Sequence, residues 1–285
     1  MRSILMRATL TPVLLFPTLA GPGFAADGIL EINQTCAVQT GCFAGDTAGF
    51  PVTIASPGSY RLTGNLDVSV AADPPGMTAI QTGANDVSID LAGFAISGAT
   101  LCGSFGTCTN TGSGNGIAPT GGVRERISVR NGVIRGMGRY GVMCDIGCSV
   151  ENVKVDGNGS IGIYVVNPPA RIHGSIARNN GGAGIYASGV VSENIMEQNG
   201  GLGFDDRGFS VFARNRVFGN SGGGISCQGS MVIDNFIRFN SLSDVKLVAG
   251  TPCSLGRNTL NSIDSAVGSF VEVDPNLCGS DLVCP

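Results

Sequence analysis

From about residue 130 onward, hydrophobic and polar positions recur with a period near twenty. A glycine-hydrophobe step appears at Gly141-Val142, Gly162-Ile163, Gly184-Ile185, Gly203-Phe204 and Gly224-Ile225, and Asp244-Val245 takes the next place. The hydrophobes lie 21, 22, 19, 21 and 20 residues apart. Five residues before each of the last five stands an asparagine: Asn158, Asn180, Asn199, Asn220 and Asn240. A second column, Asn131, Asn152, Asn194, Asn215 and Asn235, keeps the same period, with His173-Gly174 in its one gap. Between the polar positions the apolar runs are short, alternating or β-branched, as in SVENVKV and GIYVV, which predicts strands. Leucine-rich repeats would need a leucine framework, and helical repeats need longer units of helix formers. The remaining arrangement is a coil with one rung of short strands per unit and parallel pairing between rungs. Asparagine suits its corners, because it tolerates the left-handed backbone of a tight turn and its amide can bond to the same amide about 4.8 Å away on the next rung.

The stretches ANDVSIDLAGFAISG (84–98), ISVRNGVIRGMGRYGV (127–142) and GSYRLTGNLDV (58–68) resemble recurring phrases of bacterial right-handed parallel β-helix repeat proteins, which share the pectin-lyase-like fold. The resemblance covers about residues 50–265. It implies an all-β, single-domain right-handed solenoid, and it leaves the activity open, because that fold carries lyases, hydrolases, epimerases and adhesins. A coil of this kind needs terminal units unlike the rest, to cover the apolar end rungs and open strand edges. We assign 26–62 to an N-terminal cap, 63–267 to the β-helix and 268–285 to a C-terminal cap, each cap with its own disulfide. Between Ile80 and Ile117 the spacing stretches to 37, and the excess, LCGSFGTCTNTGSGNG, predicts a loop over one face.

Composition sharpens the picture in two places. Residues 1–25, with Arg2 and Arg7 ahead of TPVLLFPTLA and Gly23-Phe24-Ala25 at the end, have the form of a secretory signal peptide. Cleavage there would take the net charge from −4 to −4 − 2 = −6. That balance offers no basic footprint for nucleic acid, and no later apolar run is long enough to predict a transmembrane segment. The ten cysteines suit an exported chain in an oxidising compartment, whether secreted, periplasmic or at the cell surface. Spacing predicts Cys36–Cys42, Cys102–Cys108, Cys144–Cys148, Cys278–Cys284 and, for the two that remain, Cys227–Cys253. Zinc at Cys144/Cys148 is the rival reading, disfavoured because no histidine lies near and no second pair matches it.

Chemistry is sought where the repeat varies. If the Ile163-type residue points inward, the next one points outward, giving the column Met143, Tyr164, Tyr186, Asp205, Ser226, Lys246. Two positions further on, also outward, come Asp145, Val166, Ser188, Arg207, Gln228 and Val248. Tyr164, Tyr186, Asp205 and Arg207 thus form a candidate ligand-binding face, on which aromatic rings meet the apolar side of a sugar and polar groups its hydroxyls. Asp206 falls in an inward column, where a carboxylate needs a partner, such as Arg207. Asp205, Asp206 and Arg207 are the candidate catalytic residues. Asp205-Asp206 resembles the adjacent pair of polygalacturonases, but the neighbouring YASG departs from their Asn-Thr-Asp and no Gly-His-Gly follows. An inverting hydrolase also needs two carboxylates about 6.5–9.5 Å apart. A pectate lyase would bring calcium, for which Ser188, Ser226 and Gln228 are poor ligands. The Tyr-Gly…Asp-Pro-His cluster of alginate epimerases is missing, and His173 reads as a structural substitute in the asparagine column. The reading that follows is a non-catalytic binder of an extracellular or cell-surface polysaccharide, without metal or cofactor. The alternatives are a polysaccharide lyase or glycoside hydrolase, with calcium entering for a lyase, and a purely structural surface protein. The oligomeric state is left open.

Overall fold

A computed structural model describes residues 28–279; the predicted signal peptide and Cys284 lie outside them. The chain is an all-β parallel β-helix. A ten-stranded parallel sheet runs from Val52–Ile54 through Val142–Cys144, Ile163–Val165, Ile185–Ala187, Phe204–Asp206, Ile225–Cys227 and Val245–Leu247 to Ile263–Asp264. We call this the front sheet. Two further columns of parallel strands form the back, and they join where the long strands Ser128–Arg135 and Cys148–Asp156 take part in both.

The inward column of the front sheet packs Val142, Ile163, Ile185, Phe204, Ile225 and Val245 at 0–1% exposure. Opposite them stand Val150, Ile172, Val191, Phe212 and Val232, also buried. The Phe204 and Phe212 rings stack across the interior at 4.7 Å between centroids. Successive rungs thus build a single continuous core, with most front strands burying two side chains, as Ile163 and Val165 do.

Two of the three corners carry asparagine ladders. In the first, Asn158, Asn180, Asn199, Asn220 and Asn240 are each bonded through Nδ2 to the Oδ1 of the next, or in the last case to Asp244 Oδ1, at 2.9–3.0 Å. Each Oδ1 from Asn180 to Asn240 also accepts from the backbone N–H of the preceding member. The second ladder differs from the predicted column. It runs Ser175, Asn194, Asn215, Asn235, Asn258 and Asn276, and ends on Glu272 Oε1. Asn131 and Asn152 stand one position earlier, at φ 59° and 53°, in register with Gly174 and Glu193. They take the left-handed corner, not the ladder, and Ser175, not His173-Gly174, occupies the ladder site of that rung. His173 instead contacts Ser192 Oγ at 3.2 Å through Nδ1.

The coil also reaches past both assigned boundaries. Ile29–Ile32 pairs with Gly58–Leu62 at the start, and Phe270–Glu272 and Leu277–Cys278 add strands at the end. The first end is closed by the helix Gln34–Gln39, whose Asn33 Oδ1 accepts from Cys36 N, and Cys36–Cys42 pins the segment that follows. Four of the predicted disulfides are formed, including Cys227–Cys253, which links consecutive rungs. Cys278 is disulfide-bonded, and no described cysteine is free, which leaves no thiolate pair for zinc. Bonds of this number suit an oxidising environment. Among the described residues no helix is long and apolar enough to cross a membrane.

The insertion after residue 98 forms a strap. It is pinched by Cys102–Cys108 and runs lengthwise along the corner glycines beside the front sheet. Gly112 N donates to Gly138 O at 3.0 Å, and both sulfurs of the disulfide lie against the Asn158 carbonyl. A side chain at Gly181 would meet Cys108 Sγ, and one at Gly106 would collide with the backbone of Asn180 and Gly200. The strap thus crosses four successive rungs, and glycine is required wherever the two backbones touch.

Candidate functional site

The register of the front sheet places Met143, Tyr164, Tyr186, Asp205, Ser226, Lys246 and Asp264 in one straight outward column. Strand alternation dictates this, since each is the neighbour of an inward hydrophobe. Parallel pairing then sets adjacent members about 4.8 Å apart. The predicted face therefore exists as a row. Its composition changes abruptly along its length, from aromatic to polar and charged.

The aromatic half is a stack, not a platform. Tyr164 lies 4.8 Å from Tyr186 on one side and 4.8 Å from Tyr140 on the other. Arg139 covers the Tyr140 ring at 4.4 Å, and Arg207 covers Tyr186 at 4.9 Å. Tyr140 and Tyr164 stack face to face at 27°, Tyr186 is tilted 50° to Tyr164, and the two guanidinium groups cover the outer rings, so the rings present less open face than the sequence predicts. Sequence alternation missed Tyr140 because it sits three residues before Met143, on the turn leading into the strand, and reaches the stack from there. Burial pushes the Tyr164 hydroxyl above its ordinary value; Tyr186 and Tyr140 add to this, and Arg139 and Arg207 oppose it.

Arg207 makes no ion pair with Asp205 or Asp206. Asp205 is half-buried and accepts from Ser226 Oγ at 3.1 Å. Burial pushes its carboxyl above the usual carboxylate range, against the pull of Ser226, Arg207 and Lys246. Asp206 points inward, 3% exposed, and its partner is not Arg207. Its Oδ1 accepts from Ser210 Oγ at 2.6 Å and Gly208 N at 3.0 Å. Its Oδ2 accepts from Ser230 Oγ at 2.6 Å and Gln228 N at 3.0 Å. Four donors from two rungs saturate this carboxylate, so it holds the third corner and presents nothing to a ligand. The predicted second outward column also changes: Asp145 is buried and accepts from Arg124 N at 2.9 Å. Gln228 and Ser188 keep their register on either side of Arg207.

Among the described residues no three His, Cys, Asp or Glu side chains converge to hold a metal ion. Ser226 Oγ donates to Asp205, and Arg207 and Lys246 pull its carboxyl down from further off. What the row can do chemically is donate and accept hydrogen bonds along a line of several rungs. Asp205 is its outward carboxylate near the centre.

No family model and no curated protein matches the chain. Among solved structures it is similar to the A-module of the mannuronan C-5 epimerase AlgE4 from Azotobacter vinelandii. The identity is 17%, the match covers 80% of this chain and 91% of that one, and the TM-score is 0.44. No functional residue is carried across at that level of likeness.

Proposed function

We propose that this protein is exported and binds an extracellular or cell-surface polysaccharide lengthwise along the front sheet, without catalysis. The observation that carries the reading is the unbroken row from Tyr164 to Lys246, flanked by Arg207. An extended polymer presents hydroxyls at a regular interval, and a row with a fixed rung spacing meets several of them at once. Weak contacts then add through a shared chain. Asp206 supports the non-catalytic reading over a two-carboxylate hydrolase, because its oxygens are all engaged inside the corner and Asp205 has no second carboxylate beside it. A glycan array probed with the mature protein, followed by titration of the best ligand, tests this. Saturable binding without product supports it. Loss of no affinity in both Tyr186→Ala and Arg207→Ala would place the ligand elsewhere.

One observation favours the enzymatic alternative. A half-buried carboxyl raised above its ordinary value, as at Asp205, is suited to donate a proton to a leaving oxygen. Turnover of a uronic-acid polymer by the wild-type chain, abolished in Asp205→Asn with the fold intact, would establish that reading over the first.

A further inference from the structure

Beyond Ser226 the front sheet opens into a cleft of about 610 Å³ beside the row. Leu202, Leu242 and Ile263 form its apolar wall, and Leu242 is 67% exposed. Lys246 and Asp264 are adjacent in register and line the same cleft, and among the described residues neither is in an ion pair within 4 Å. Asp264 Oδ1 accepts only from Ala266 N, in its own turn. The cleft therefore offers one cationic donor, one carboxylate with its Oδ2 open to accept, and a small apolar surface, the two charged groups on adjacent rungs.

We propose that this cleft is a subsite for an acetamido sugar at one end of the bound polysaccharide. An acetamido group carries one carbonyl acceptor, one N–H donor and one methyl group, which is the complement of Lys246, Asp264 and the leucine wall. A hydroxyl in its place would leave the leucines facing water. A free amine could pair with Asp264 but would leave Lys246 without an acceptor and the leucine wall without a methyl group. The inference rests on the reading of the front sheet as a polysaccharide site and names the residue it selects.

The test titrates the full chain with an N-acetylglucosamine hexamer and with the glucosamine hexamer obtained by removing its acetyl groups. The acetylated form is expected to bind about tenfold tighter, the scale of one methyl removed from water plus one solvent-exposed hydrogen bond. Leu242→Ser and Lys246→Gln, both at exposed positions, should each lower the affinity for the acetylated hexamer toward that of the other. Equal affinity for both hexamers in the wild-type chain overturns the subsite, and so does a preference that survives both substitutions. If neither hexamer binds while other polysaccharides do, the subsite fails and the proposed function stands. If no polysaccharide binds at all, both fall.

Discussion

The asparagine corners and the outward row of the front sheet are built from the same rungs, yet they follow opposite rules. At the corners one residue type repeats rung after rung. Each interior asparagine is tied to both neighbours: Asn199, for example, accepts from Asn180 and donates to Asn220 and to Ala177 O. In the outward row the residue changes at nearly every step, from Met143 through two tyrosines to Asp205, Ser226, Lys246 and Asp264. Identity is enforced where a side chain must match its own copy one rung away. Where the side chain meets solvent or a ligand, nothing in the fold requires the match. In a coil of this kind the repeat marks scaffold, and departures from it mark the place to look for binding.

The comparison breaks most visibly at Asn199. Asn199→Ala strands donors and acceptors on both neighbouring rungs, and we expect a loss of about 3 kcal/mol in unfolding free energy by denaturant titration, with polysaccharide affinity unchanged below the transition. Asp206→Ala should come next, at about 2 kcal/mol, because two serine hydroxyls and two backbone N–H groups lose a charged acceptor. It sharpens the contrast, since Asp206 adjoins the row in sequence and belongs to the scaffold in space. Tyr186→Ala should do the reverse: about a fivefold loss of affinity by calorimetric titration, with little change in melting temperature, because one face of a half-exposed stack is lost. Asp205→Asn should give the smallest effect, and its sign is set by burial. A carboxyl whose folded value is raised favours the folded state when protonated, and that contribution is lost as pH rises through the folded value. The variant keeps the acceptor for Ser226 Oγ and carries no charge. Its melting temperature should match the wild type well below the ordinary carboxylate range and slightly exceed it at neutral pH.

Much of this was legible in the sequence. The period, the first asparagine column and the inward and outward assignment of 142–144 and its copies are legible from spacing, because strand alternation and rung length leave little freedom; position 145 is not, since Asp145 is buried, and of the four cysteine pairs formed, three follow from spacing and Cys227–Cys253 from elimination. The second asparagine column was read one position out of phase in its early rungs. Asn131 and Asn152 satisfy the same preference for a left-handed corner that ladder asparagines satisfy for bonding, and spacing near twenty does not distinguish adjacent positions. The row was placed correctly, but the ring stacking was not, since it depends on Arg139 and Tyr140 arriving from a turn outside the strand. Asp206 was recognised as anomalous for being a carboxylate in an inward column. Its serine partners, four and twenty-four residues away, had no pattern that tied them to it.

The strap has a consequence for how the molecule comes apart. A stack of rungs is held by contacts between immediate neighbours, so it can fray from an end or open in the middle one unit at a time. The strap touches Gly138, Asn158, Gly181 and Gly200 in turn, and so ties units that otherwise never meet. Those four rungs can open only together with the strap, whereas the rungs after Gly200 are held by immediate neighbours alone, one such pair by Cys227–Cys253. A single insertion has divided a uniform coil into a cooperative block and a zipper, and the boundary falls between Tyr186 and Lys246, across the very row that would hold the ligand.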